Sequence, residues 1–315
     1  MAEPVMVDTH VHFFGDNKQY LLSRATYEVW EYGPKENVRF STYGGDPEDI
    51  LKAIDAAGAS KAVMVNLFAV SRVRDRAIAD LPEGLDKYQK EEAISKIGAG
   101  MGERLKSSNV WCCHVAEKYP QLVPFIATDP SVLGVKEAQD HILEMVEQHG
   151  AKGIKVHQGL QRFYMHDERM LPICRLCTEM DIPILAHSGP LRDTEQYAEP
   201  RAYAEVLKTF PELRLVLAHM GGGAWRQTLE IARAYPNVYF DCSEIIEWTG
   251  APNAPTDREL AHLIQDVGSE RVMMGSDFPW YDIGYCAKRI MELPLLSKEQ
   301  KESILGANAI RILKL

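Results

Sequence analysis

The chain has 315 residues, 46% of them hydrophobic and 25% charged, a composition that supports a sizeable core and argues against long disordered segments. Its formal charge of −10 leaves no basic footprint for nucleic acid and disfavours anionic membrane surfaces. The N-terminal residues lack the basic start and apolar run of a signal peptide, no stretch approaches the roughly 18 apolar residues of a membrane helix, and six scattered cysteines cannot staple a chain of this length, so a reduced, cytoplasmic protein is expected.

Short apolar runs alternate with longer amphipathic ones, the pattern of a parallel sheet wrapped by helices. Residues 5–13 (VMVDTHVHF) predict the first strand, 47–59 a helix and 61–69 (KAVMVNLFA) the second strand. Residues 122–128 (LVPFIAT) follow as the third, and 134–150 as a helix stopped by Gly150. Residues 151–157 (AKGIKVH) predict the fourth strand, 167–181 a helix and 183–189 (PILAHSG) the fifth strand. A helix near 201–210, a strand at 213–222 and a helix at 225–235 come next. A seventh strand at 238–244 (VYFDCSE), a helix at 257–268 and an eighth strand at 271–278 (RVMMGSDF) then precede helices at 283–292 and 298–313. Eight strands with interposed helices fit a closed (β/α)₈ barrel over residues 1–315 as one domain.

Two segments exceed the minimal barrel. Residues 14–46 are rich in aromatics without clear periodicity, and 70–110 are charged and helical in character. Both follow barrel strands, so both are expected over the C-terminal face, where long loops shape substrate pockets. Cys174 and Cys177 sit in an apolar-periodic helical run with no second pair, and read as buried helix cysteines.

Chemistry concentrates at strand ends. His10 and His12 are two apart in an extended chain and so point to one side. His187 ends the fifth strand, His219 the sixth and Asp277 the eighth, and His157 ends the fourth. In a parallel barrel all these ends open on one face, so imidazoles and a carboxylate converge there. Neutral imidazole and carboxylate suit Zn²⁺; Mn²⁺ and Fe²⁺ accept the same donors. Trp280 follows Asp277 and is a candidate wall of the pocket, with plain packing the alternative. Gly221-Gly222-Gly223 resembles an anion-binding turn, although a tight loop also needs glycine. Arg72, Arg74, Arg76 and Arg104 could clamp a carboxylate, against the reading of a solvated helix face. Ser188 and Ser276 adjoin these residues without a GxSxG elbow. His114, His141, His149, His166 and His262 receive no role.

The motifs DTHVHFF, KGIKVHQGLQ, PILAHSG, LVLAHMGG, MGSDFPW and ILGANAIRIL resemble the amidohydrolase superfamily, in its amidohydrolase-2 branch, the group related to aminocarboxymuconate-semialdehyde decarboxylase. The resemblance spans nearly the whole chain and implies that His10, His12, His187 and Asp277 bind one divalent metal ion, most simply Zn²⁺. It also implies that Asp277 handles a proton and that His219 polarises substrate or acts as acid or base. Two-metal members of the superfamily carry a carboxylated lysine where Lys155 stands, so a second ion would require that modification. Otherwise the Lys155 amine binds an anionic substrate, with His157 beside it. The reaction expected first is hydrolysis of an amide, ester or lactone of a small, carboxylated substrate by metal-activated water. The alternative is non-oxidative decarboxylation of an unsaturated or aromatic acid. A homodimer is common among barrels of this branch.

Overall fold

In the computed structural model, which describes residues 5–25, 27–192 and 195–315, eight parallel strands run in the order of the chain. They are β1 (Val7–Val11), β2 (Lys61–Val65), β3 (Leu122–Ala127), β4 (Gly153–Val156), β5 (Ile184–Ala186), β6 (Leu215–Leu217), β7 (Val238–Asp241) and β8 (Val272–Met273). Each pairs in parallel with its sequence neighbour. Closure between β8 and β1 comes from the residues past the short last strand. Thr9 N–H donates to Met274 O at 3.0 Å, Asp277 N–H to His10 O at 3.0 Å and His12 N–H to Phe278 O at 2.7 Å. The result is the expected (β/α)₈ barrel.

The strands are shorter than the apolar runs that announced them, because the chain leaves extended geometry where the polar residues begin. β6 ends at Leu217, and His219 and Met220 already have φ of 60° and 47°. Inside the barrel, Val7, Val63, Val123, Phe125, Leu185, Val216 and Met273 form an apolar cluster with Ala309, Ile312 and Leu313 of the C-terminal helix. Gly153 gives room to the Phe125 ring, since a Cβ there would stand 2.4 Å from it. A second, larger core fills the space between sheet and helices.

The helices begin and end as their sequences direct. Asp46 caps Pro47–Ala57 through the Asp49 N–H and Gly58 closes it in left-handed geometry. Thr256 and Glu259 form a capping box on Asp257–Val267. The charged stretch 70–110 is helical as expected, with a helix at Val70–Ala79. Residues 87 onward belong to a 32-residue helix, Lys87–Lys118, capped by Asp86. Its second half buries Met101, Leu105, Asn109 and Cys112 against the barrel, while its first half stays largely exposed. Ile94, Ile97, Met101 and Leu105 recur at helical spacing along the helix, within charged neighbours that thin the stripe toward its start. Cys174 and Cys177 are buried in Leu171–Glu179. No helix among the described residues is long and apolar enough to cross a membrane.

Candidate metal centre and substrate pocket

The strand ends gather the expected residues at one mouth of the barrel. His10 Nδ1 lies 3.1 Å from Asp241 Oδ2 and 3.1 Å from Ser243 Oγ. Its Nε2 therefore faces inward, 3.1 Å from Lys155 Nζ and 3.6 Å from Asp277 Oδ1. His12 Nε2 reaches the same Asp277 oxygen at 3.0 Å. His219 directs Nδ1 at Ser243, 3.1 Å from its carbonyl and 2.9 Å from its Oγ, which leaves Nε2 for the cavity. His187 stacks on His157 with ring centroids 3.9 Å apart and stands 5.0 Å from the His219 ring.

Among the described residues, ligand atoms of His10, His219 and Asp277 all lie within 4.8 Å of one another, close enough for one divalent ion to reach each. His12 touches this group through Asp277, and His187 stands one ring away. His219, expected as acid or base, thus falls inside the tightest group, whereas His187, expected as a ligand, falls just outside it. Asp277 Oδ1 is buried and forms no aligned hydrogen bond with the imidazoles that approach it. Ring nitrogens converging on one oxygen without donating to it suit co-ligands of a cation better than a hydrogen-bonded pair. The donor set fits a divalent metal ion.

Electrostatics keeps the imidazoles in the form that binds metal. Burial, helped by the Lys155 charge, pushes His10 down to about 3. Burial and mutual proximity hold His157 and His187 well below the usual histidine range, and burial lowers His219 as well. Burial also brings Lys155 down to about 8. Asp241 stays low although burial opposes it. It faces His10 and accepts the His219 N–H at 3.0 Å, the Ser243 N–H at 3.1 Å and the Ser243 hydroxyl. A buried carboxylate holding Nδ1 of a ligand histidine fixes the ring and leaves Nε2 as the donor.

Three residues of this mouth carry positive φ without being glycine: His219 at 60°, Glu244 at 61° and Asp277 at 62°. Glu244 has ψ of −61°, and the Ile245 N–H donates to Ser243 O at 2.6 Å, a strained three-residue turn. Such backbone costs about 1–3 kcal/mol per residue and persists where packing enforces it, commonly at functional sites. Here it turns successive strand ends inward.

The mouth opens into a cavity of about 670 Å³, within the usual size for a small-molecule site. Phe13, Phe14, Tyr27, Trp30, Leu67, Leu160, Leu191 and Trp280 supply apolar wall, and His10, His12, Lys155, His157, His187, His219 and Asp277 the polar end. The aromatic segment after β1 does lie over this face. Tyr27 stacks on Trp280 at 4.3 Å and 12°, so Trp280 both packs and lines the pocket. Of the four arginines singled out, Arg72 lines the cavity, while Arg104 sits over the Phe68 ring at 5.7 Å. Ser276 is committed to Asp8, which ties β1 to the β8 loop, and Ser188 is buried.

Sequence reasoning missed Asp241, Ser243, Glu244 and Glu31. Asp241 ends β7 as His219 follows β6, and that position was the available signal. Glu244 and Glu31 both line the cavity; burial raises Glu31 to about 7, and burial with the nearby Glu31 and Asp277 carboxylates raises Glu244 well above the carboxylate range. The glycine turn after β6 does meet an anion, but it is the chain's own, as Gly223 N–H donates to Glu31 Oε2 at 3.0 Å.

The family model described as Amidohydrolase matches residues 7–315. No curated protein matches the chain in sequence. Among solved structures, an uncharacterised TIM-barrel protein from Bordetella bronchiseptica superimposes with a TM-score of 0.70 at 17% identity, covering 98% of each chain. A dihydroxybenzoic acid decarboxylase from a Polaromonas species, with bound manganese and the inhibitor 2-nitroresorcinol, gives 0.67 at 16% identity over 99% of this chain and 97% of that one. The 5-carboxyvanillate decarboxylase of Sphingomonas paucimobilis gives 0.64 at 14% identity over 99% and 100%. Identities this low show a shared fold.

Proposed function

The chain belongs to the amidohydrolase family, and from that membership we propose that it is a metal-dependent decarboxylase of a small aromatic or unsaturated acid. One observation carries the reading: the histidine and aspartate cluster forms the end of a cavity whose remaining walls are largely aromatic and aliphatic. A flat acid fits such a slot, and an apolar slot suits release of CO₂. Similarity to decarboxylases, one solved with manganese, supports this order of preference over the hydrolysis that the sequence put first.

In this reading His10, His12, His187 and Asp277 hold one divalent ion, with His219 close enough to share that duty. When bound, the ion supplies positive charge that orients the acid and stabilises electron density developing on it. Lys155, an ammonium at neutral pH, pairs with an anionic oxygen of the substrate, and Arg72 adds charge from the cavity wall. Trp280, with Tyr27 stacked on it, walls one side of the flat ligand, and His157 supports the His187 ring by stacking. As the carbon–carbon bond breaks, its electron pair stays on the substrate carbon, CO₂ departs, and a proton drawn from solvent is passed through His219 or Asp277 to that carbon. We place the protein in the cytoplasm, with a small anion as its partner.

A second reading, hydrolysis of an amide, ester or lactone at the same site, is favoured by the His10-Val11-His12 pair, since some decarboxylases of the resembled branch carry a glutamate in place of its first histidine, although others keep both. The test is turnover by metal-loaded protein of a panel of aromatic and unsaturated acids beside carboxylated lactones. CO₂ release from an acid supports decarboxylation; lactone opening without CO₂ release overturns it in favour of hydrolysis.

A further inference from the structure

The segment after β1 carries into the pocket a carboxylate that the reaction above leaves unused. Glu31 Oε2 accepts the Gly223 N–H at 3.0 Å, and the Glu31 carbonyl accepts Asn253 Nδ2 at 3.0 Å. Glycines in two strand-end loops make way for it. A Cβ at Gly189 would stand 2.9 Å from Oε2, one at Gly222 2.7 Å from Oε2, and one at Gly223 3.0 Å from the Glu31 carbonyl. Oε1 accepts no hydrogen bond from any described residue, and Glu31 lines the same cavity as His12, Lys155 and Trp280.

Anchoring the segment does not by itself call for a charge. An amide at position 31 would accept the same Gly223 N–H. Glu31 is only partly exposed at the cavity wall, and a carboxylate drawn partly out of water gains from a donor that replaces the water it loses. The neighbouring cation does not do this: Arg192 pairs with Glu28 at 3.0 Å and lies over the Trp30 ring at 5.6 Å. Glu31 lines the same cavity that gathers cationic and metal-binding groups for an acid. What completes Glu31 is a donor that arrives with the ligand.

We propose that Glu31 is a specificity-determining residue, whose carboxylate accepts a hydrogen bond from a hydroxyl or amino group that the substrate carries in addition to its carboxylate. The assignment rests on the pocket binding a small acid, as proposed above. It gives a role to the side chain by which a segment without regular periodicity reaches the β6 loop, beside the Glu28–Arg192 pair that ties the same segment to the β5 loop. An analogue without the donor leaves that acceptor without the hydrogen bond the substrate supplies, and so binds less tightly.

The test compares the metal-loaded full-length protein with Glu31→Gln on hydroxybenzoic acids and their methyl ethers, measuring binding by calorimetry and, separately, CO₂ release. Wild type should prefer a hydroxylated acid over its ether by roughly 10- to 100-fold in affinity, and Glu31→Gln should bind the two about equally. Gly189→Ala, whose methyl group displaces the same carboxylate without removing it, should lose preference in the same direction and serves if Glu31→Gln does not fold. Preference lost in the variants without CO₂ release by any protein keeps the Glu31 assignment and removes only the decarboxylase reading. A preference unchanged in both variants, or absent from wild type, overturns the assignment whatever the CO₂ measurement gives.

Discussion

Both oxygens of Asp241 are committed to orientation, Oδ2 to His10 Nδ1 and Oδ1 to the His219 and Ser243 backbone N–H groups. Replacing it with asparagine keeps the shape but presents an N–H₂ group to His10 Nδ1. The imidazole proton then moves to Nε2, the atom that faces Asp277 and Lys155, and a protonated Nε2 cannot ligate. Asp241→Asn should weaken metal affinity by roughly 10- to 100-fold with the fold intact, as competition against a chelator would show; unchanged affinity would remove Asp241 from this role. At this scale the sequence was partly legible. His10, His12, His187, His219 and Asp277 stood out because apolar runs end on them. Asp241, Ser243, Glu244 and Glu31 did not, because an acid near a strand end or in an aperiodic loop looks the same in sequence whether it orients a ligand or meets water.

The strands that carry these residues are held in register by packing that tolerates little change. Gly153 of β4 lies against the Phe125 ring of β3 inside the barrel, so a methyl group there has nowhere to go. Gly153→Ala should lower unfolding free energy by about 1–3 kcal/mol in denaturant titration, and adding Phe125→Leu should restore part of the loss. Lack of any effect would place the ring elsewhere. In the turn after β7, Glu247 is buried and receives Cys286 Sγ at 3.4 Å. Burial raises its carboxyl to about 7. Between the ordinary glutamate range near pH 4.5 and pH 7, the unfolded chain loses this proton while the folded one keeps it, so stability falls as pH rises through that window. Glu247→Gln should therefore show a smaller drop in thermal midpoint between pH 5 and pH 8 than wild type, and an equal or larger drop would contradict the assignment. Element type and order were legible from periodicity. Their ends were not: positive φ at His219, Glu244 and Asp277 shortens strands that apolar runs seemed to extend.

The molecule as a whole closes a barrel by joining its last strand to its first, and that closure sets His10 and His12 beside Asp277, residues far apart in the chain. The aromatic segment from Phe13 to Trp30 covers the same mouth, and Glu31 fastens it to the β6 loop beside the Glu28–Arg192 pair that ties it to the β5 loop. Family membership follows from a match over residues 7–315, while the choice among reactions depends on a pocket assembled from loops, where sequence patterning is weakest. The most direct measurement is the divalent metal content of purified wild type and Asp277→Ala after equilibration with the same buffered metal. The account predicts close to one ion per chain in wild type and nearly none in the variant, with both proteins folded. Equal occupancy in the two, or a folded wild type that takes up no ion, would contradict it.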